Sequence, residues 1–299
     1  MASTASSTAR IPGSADHREP RGRAYPLRSS FDLQFEWGPD GLGQLGPGAA
    51  GIVIVDVLRF TTAVSVAVDR GATVLPYRWA DDGAETYAAQ HNALLAGAGP
   101  EDSDGPGWSL SPIDLARLRA GTRLVLPSPN GSELAYAARE HAPHAAVLAG
   151  CLRNASAVAR EVAASLRAGP VAVIAAGERR RAHTRPPCER REAFAFRPAV
   201  EDLLGAGAIL RALRVLTGVA PGRVSPEARA AMAAFDEARD DLREWLLASA
   251  SGRELVGRGR RDDVVAAAAL DVEAVAPVLV GAAFVGATPR SPRPSTLSP

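Results

Sequence analysis

The chain reads as an α/β protein with helices on both faces of a parallel or mixed sheet, and two observations predict this. Short apolar runs recur at "GIVIV" (51–55), "ATVLPY" (72–77), "TRLVLP" (122–127), "AAVLAG" (145–150) and "PVAVIAA" (170–176), each bounded by turn residues. A helix-like stretch separates each run from the next, and strands alternating with helices are the signature of a sheet covered on two sides. With 299 residues, 46% hydrophobic and 22% charged, the chain is long enough to bury one large core. No internal repeat or linker composition divides it, so a single domain is expected over 29–287. Residues 1–28, rich in Ser, Arg and Gly, and the Pro- and Ser-rich residues 288–299 read as disordered tails.

Taken in order, "FDLQFEW" (31–37) alternates apolar and polar residues, the pattern of a half-exposed or antiparallel strand. Its edge is a candidate surface for a homo-oligomer as much as a solvent-facing one. "GPDGLGQLGPG" is a loop. After the strands at 51–55 and 72–77, Asp82 and Glu85 suit a capping box for a helix running to about 96. Ser111-Pro112 suits the cap and first turn of another helix, with Gly121 as its stop. Arg153 to Arg167 is Ala-rich and periodic, closed by Gly169. The segment 178–198 carries seven arginines without a period and reads as a long loop. Helices are expected at about 198–217 and 225–249, and the apolar runs after "DD" at 262–263 are expected to complete the sheet.

Composition removes whole classes of chemistry. A net charge of +1 gives no electrostatic reason to expect nucleic acid as partner. No window has the ~20 apolar residues of a membrane span, and the opening residues lack the apolar stretch of a secretory signal. Cys151 and Cys188 are too few for a disulfide framework or a four-cysteine zinc site, so a cytoplasmic protein is expected. All 34 basic residues are arginine. Schiff-base lysines and the P-loop lysine are therefore excluded, and an anion site must use arginine forks, backbone N–H groups and hydroxyls.

In an open α/β sheet ligands bind beyond the carboxyl ends of the strands. Asp56 follows the first run, with Arg59, Thr61 and Thr62 on the next turn. "SPNGS" (128–132) follows the third, "CLRNAS" (151–156) the fourth, and Gly177, Glu178 and later "VED" (200–202) the fifth. Each has a structural reading as well: Asp56 as a helix cap or a partner of Arg59, Asn130-Gly131 as a turn, "CLRNAS" as a cap, and Glu201-Asp202 as complements to a helix dipole. Together they place several carboxylates beside an anion site. A divalent cation between them resolves the repulsion, and oxygen-only ligands without a His or Cys cluster suit Mg²⁺. Metal-assisted phosphoryl transfer, in the form of hydrolysis, is the chemistry this combination serves.

"VDVLRFTTAV", "SPNGS", "CLRNASAVA", "VEDLLGAG" and "SGRELVGRGRRDDVVAAAALDVEAVAPVL" resemble, in this order, the 2-phosphosulfolactate phosphatase family. The resemblance implies a three-layer α/β/α fold and Mg²⁺-dependent hydrolysis of 2-phospho-3-sulfolactate to 3-sulfolactate and phosphate, on the route to coenzyme M. It implies that Asp56, Glu201 and Asp202 hold the metal, directly or through water. Arg59, Thr61, Thr62, Asn130, Gly131 and Ser132 would bind the phosphate, with Asp56, Arg59 and Asn130 as the catalytic set and Asn154 among the substrate-binding residues. Arg153 or the arginines of 179–197 would take a second anionic group. A late family Asp is matched by Asp262 or Asp263. The chain departs from the family at Ala98 (usually Glu, with Glu101 or Asp102 nearby), at Leu110 (usually Asn) and at Ala63 (usually Thr). These departures motivate two alternatives: a phosphatase for another small 2-phospho-carboxylate, and a non-catalytic anion-binding homologue.

Overall fold

The structure, a computed structural model, describes residues 30–78, 83–97, 107–181 and 194–287. The expectations for 1–28 and 288–299, for Asp82, Ala98, Glu101, Asp102 and Cys188, and for most of the arginine-rich segment lie outside these residues.

The chain opens with β1 (Leu33–Trp37), α1 (Gly38–Leu45), β2 (Gly51–Val55), α2 (Phe60–Asp69), β3 (Thr73–Tyr77), α3 (Gly83–Gln90) and β4 (Leu94–Leu95). It continues through α4 (Pro112–Leu115), β5 (Arg123–Pro127), α5 (Gly131–His141), β6 (Ala146–Gly150), α6 (Ala155–Val162) and β7 (Val171–Ala175). A two-stranded antiparallel ribbon follows, β8 (Glu178–Arg181) and β9 (Phe194–Arg197). Then come α7 (Val200–Thr217), α8 (Pro226–Ala238), α9 (Leu242–Ala248), α10 (Ala250–Gly257), α11 (Arg261–Ala267), β10 (Pro277–Val280) and β11 (Ala283–Gly286).

Nine strands form one mixed sheet in the order β1-β7-β2-β6-β10-β11-β3-β5-β4. β10 and β11 run antiparallel to each other and to their neighbours β6 and β3; the other pairings are parallel. Residues of the central strands point alternately to the two faces. Val53 and Val55 of β2 and Val171, Val173 and Ala175 of β7 pack with α6, α7 and α8. Ile52, Ile54, Ala172 and Ile174 pack with α1, α2 and α5. Because both faces are covered, these strands are apolar at every position, which is why they stand out in the sequence. The three-layer α/β/α architecture is therefore observed.

Several elements differ from expectation. β1 is parallel to β7 and mostly buried; even Gln34 is enclosed, its amide donating to Phe31 O. The helix expected to run to 96 ends at Gln90, and Leu94-Leu95 joins the sheet beside β5. The stretch 153–167 is α-helical only from Ala155 to Val162, with 3-10 turns on either side. The helix expected over 225–249 breaks between α8 and α9. "DDVV" forms α11 rather than a strand. "GPDGLGQLGPG", expected as a loop, forms α1 and a following 3-10 turn, the helix opened by Ser111-Pro112 is only Pro112–Leu115, and at the ends of the arginine-rich segment the backbone pairs as β8 and β9 instead of looping.

α7 and α8 approach closely because α7 carries Gly207: a Cβ there would lie 2.1 Å from Ala231 O. Gly207→Ala is expected to cost about 1–3 kcal/mol in urea unfolding. Gly43→Ala, on the exposed side of α1 with nothing within 4 Å of the added carbon, should be neutral or stabilising by up to about 1 kcal/mol. Equal stability of the two variants would show that the α7–α8 packing gives way freely.

Candidate active site

Asp56 directly follows β2, and the turn after it folds back onto it through Phe60 and Thr61. Asp56 N–H donates to Thr61 Oγ1 at 2.9 Å, while the Thr61 hydroxyl and backbone N–H both donate to Asp56 O at 2.8 Å. Thr62 donates its hydroxyl to Val57 O at 2.7 Å, and Phe60 N–H donates to Asp56 Oδ1 at 3.2 Å. The Leu58–Arg59 peptide is cis. Both threonines are completely buried. Their hydroxyl protons go to backbone carbonyls, so their place in this structure is to fasten the turn that holds Asp56 rather than to face a ligand.

The turn after β5 closes on the same carboxylate. Gly131 lies against the Phe60 ring and Asp56; a Cβ would come within 2.2 Å of Phe60 Cδ1 and 2.9 Å of Asp56 Oδ2. Only glycine fits this close to Asp56; its N–H donates to Ser128 Oγ at 3.2 Å and, lying against the carboxylate, favours its charged form. Asn130 stands at the start of α5, its Nδ2 reaching Glu178 Oε1 at 3.4 Å, while its buried Oδ1 has no hydrogen-bond partner. Ser132 is fully buried and donates to Leu126 O, so its hydroxyl too serves the turn.

The first turn of α7 brings Glu201 and Asp202 to this point, both buried. Asp202 Oδ1 accepts from Val57 N–H at 2.7 Å and Oδ2 from Gly177 N–H at 2.9 Å, joining the turns after β2 and β7. Gly177 sits at φ +61°, and a Cβ would run into the Phe196 ring at 2.6 Å. Asp56, Glu178, Glu201 and Asp202 thus share one buried neighbourhood. Burial raises the Asp56 carboxyl from 3.8 to about 7. The negative charges of Glu178 and Glu201 add to the rise, and the N–H groups of Phe60 and Gly131 oppose it. Burial also pushes Asp202 well above the ordinary carboxylate range, with Asp56 and Glu201 raising it further. Glu201 Oε2 is buried without a hydrogen-bond partner. Among the described residues no three His, Cys, Asp or Glu side chains converge tightly enough to enclose a metal ion by themselves.

The arginines are held differently. Arg59 Nη1 donates to Asp263 Oδ2 at 2.8 Å, an ion pair in which both partners are buried, and Ser111 Oγ donates to the other oxygen of Asp263. The late aspartate at the site is therefore Asp263; Asp262 is exposed. Arg153, expected on a second anionic group, belongs to another network. Its Nε donates to Glu273 at 2.7 Å and its Nη1 to Ala266 O at 2.6 Å, and Ser65 donates to the far oxygen of Glu273. Asn154 turns inward, accepting from Cys151 N–H at 2.9 Å and donating to Ala149 O. Burial pushes the Cys151 thiol up to about 12, which leaves it without nucleophilic character at neutral pH.

An α/β sheet with a buried acidic cluster beyond its carboxyl edge, flanked by anchored arginine, defines a class of small-anion enzymes and binding proteins. Within it, the chain belongs to the 2-phosphosulpholactate phosphatase family, whose model matches residues 46–282. It is similar to a probable 2-phosphosulfolactate phosphatase of Gloeobacter violaceus, 31% identical over 75% of this chain and 86% of the relative. A protein of the same name from Thermus thermophilus is 30% identical over 77% and 88%. The 2-phosphosulfolactate phosphatase of Methanothermobacter thermautotrophicus is 29% identical over 73% and 82%.

The raised Asp56 has a thermodynamic consequence in metal-free protein. The folded state binds this proton more tightly than the unfolded chain, so the stability it contributes is present below the unfolded value and is lost as pH rises to about 7. Asp56→Asn should therefore gain on wild type between about pH 4 and pH 7, by on the order of 4 kcal/mol, in urea titrations with EDTA present. A wild-type-minus-variant difference independent of pH would remove the electrostatic penalty assigned to Asp56.

Proposed function

We propose that this chain is a phosphatase that hydrolyses 2-phosphosulfolactate and uses Mg²⁺ held by Asp56 and Glu201, with Asp202 behind them. The observation that carries this reading is the surplus of buried acceptors. Carboxylates press on one another electrostatically, and Glu201 Oε2 and Asn130 Oδ1 have no donor. A hard divalent cation with oxygen ligands relieves such a cluster, and two protein carboxylates with the remaining positions left to water and substrate is how Mg²⁺ is commonly held. When bound, the ion supplies Lewis-acid polarisation of a phosphoryl oxygen.

The chain's own residues do the positioning. The turn fastened by Thr61 and Thr62 fixes Asp56, and Asp202 fixes that turn relative to Gly177 and Glu178. Arg59, oriented by Asp263, is placed to meet phosphate oxygens, and Asn130 Nδ2 offers a neutral donor at the turn that closes on Asp56. In hydrolysis a bond forms from a water oxygen to phosphorus. The bond from phosphorus to the substrate's C2 oxygen breaks, and that oxygen leaves as a hydroxyl with a proton from the water. Acting on a small anionic phosphomonoester on the route to coenzyme M, the enzyme needs neither membrane nor nucleic acid. No helix among the described residues is long and apolar enough to cross a membrane, and a cytoplasmic location follows from the proposed metabolic role.

Phosphate release from 2-phosphosulfolactate by purified protein, with Mg²⁺ or with EDTA, tests the reading. Release should require Mg²⁺, and Asp56→Asn should lower kcat by at least about a hundredfold while the protein stays folded. Arg59→Ala should both raise KM and lower kcat. Wild-type activity in Asp56→Asn, or full activity in EDTA, would reject it. A folded, Mg²⁺-saturated protein that releases phosphate from no ester would leave an anion-binding homologue.

A further inference from the structure

The substrate named for the family carries a carboxylate and a sulfonate besides its phosphate, and a chain without lysine must meet those charges with arginine. Of the arginines around the acidic cluster, Arg59 is already answered by Asp263 and Arg153 by Glu273. Arg197 is not. It ends β9, directly opposite Glu178 in the ribbon, and opposed residues of an antiparallel pair present their side chains on the same face. Glu178 is the residue that reaches Asn130 and raises Asp56, so Arg197 stands across the ribbon from the catalytic cluster.

Its guanidinium is held by neutral groups alone. Nη2 donates to Ser251 Oγ at 2.8 Å and Nη1 to Pro198 O at 3.3 Å, while Nε is buried with no acceptor. Among the described residues it forms no ion pair. A part-buried guanidinium with an unpartnered N–H and only neutral acceptors is suited to receive an anion. Ser251 lies on α10, next to α11, which carries Asp263. The same C-terminal helices therefore hold Arg59 with a charge and Arg197 with a hydroxyl, and only the second leaves a net positive charge for substrate.

Resting on the phosphatase reading above, we propose that Arg197 is a specificity-determining residue that receives an acid group of the substrate other than the phosphate. Arginine forks suit a carboxylate or a sulfonate, so three esters separate them: 2-phosphosulfolactate, 2-phospholactate, which lacks the sulfonate, and the phosphate ester of 2-hydroxyethanesulfonate, which lacks the carboxylate. Arg197→Ala should lower kcat/KM for 2-phosphosulfolactate about tenfold or more, and the loss should shrink to under about threefold for the ester missing the group that Arg197 holds. Arg197→Lys should recover only part of the loss, because it restores charge without the fork. Equal losses on all three esters would mark a structural role and overturn the proposal, as would no loss on any. If wild type hydrolyses none of them, the phosphatase reading fails, and calorimetric binding of 3-sulfolactate decides this one separately. Binding that weakens about tenfold or more in Arg197→Ala sustains it; equal affinity, or no binding to wild type, overturns it.

Discussion

Two backbone N–H groups, from Val57 and Gly177, converge on the carboxylate of Asp202, and the geometry of the site hangs from that junction. It joins the turn after β2 to the turn after β7 through the first residues of α7. A neutral side chain with a single acceptor would satisfy one N–H and orphan the other, at the cost of a buried unpaired donor. The helix N-terminus favours negative charge at this place, which eases the burial of both Glu201 and Asp202. What it cannot do is remove the repulsion from Asp56 a short distance away. The same carboxylate that fixes the architecture therefore makes the site electrostatically expensive, and the fold bears that expense through the fully apolar core on either side of the sheet.

That tension gives the neighbouring polar residues their meaning. Thr61 and Thr62 look like phosphate ligands when read along the chain, because hydroxyls at the start of a helix after a strand are a common anion site. In the structure they satisfy the backbone of a turn so tight that its own carbonyls and amides need them. Their contribution is rigidity: Asp56 is held in a position where its charge is unwelcome, which requires the turn to resist relaxing. Gly131 serves the same end from the other side by letting an N–H reach the carboxylate where a Cβ would collide.

How much of this was legible in the sequence depends on the range of the interaction. β2, β3, β5, β6 and β7 were legible to within a residue, because burial on both faces leaves an unbroken apolar run. β1 departs from its sequence pattern because its alternation, with Gln34 and Glu36, imitates a half-exposed strand; Gln34 is buried all the same, its amide satisfied by a local carbonyl that no pattern announces. The gathering of Asp56, Asn130, Glu201 and Asp202 was legible because each follows a strand or opens the helix beside one. The partners that decide what each polar group does were not. Arg59 with Asp263, Arg153 with Glu273 and Ser65 with Glu273 span more than a hundred residues, and nothing local distinguishes Asp263 from Asp262 except which side of α11 faces inward.

Those distant partners share one origin, the last part of the chain. β6 and β3 do not pair; β10 and β11 lie between them, meeting β6 at Val278 and Leu148 and β3 at Phe284 and Val74. The C-terminal hairpin thus joins two otherwise separate parallel blocks into one sheet. Its Phe284 is buried edge-on against Phe60, 6.3 Å between ring centres, and Phe60 is the ring that Gly131 presses on beside Asp56. The segment leading into the hairpin supplies Asp263 and Glu273, which orient Arg59 and Arg153. The elements that close the sheet are therefore also the ones that hold the site. The turns after β2 and β5 carry Asp56 and its glycine neighbour, the Phe60 ring between them packs on Phe284, and Arg59 reaches Asp263 across a separation of 204 residues. A site built this way couples its precision to the stability of the whole sheet: the C-terminal segment reaches the Asp56 turn through the Phe284–Phe60 ring pair and through the Asp263–Arg59 ion pair.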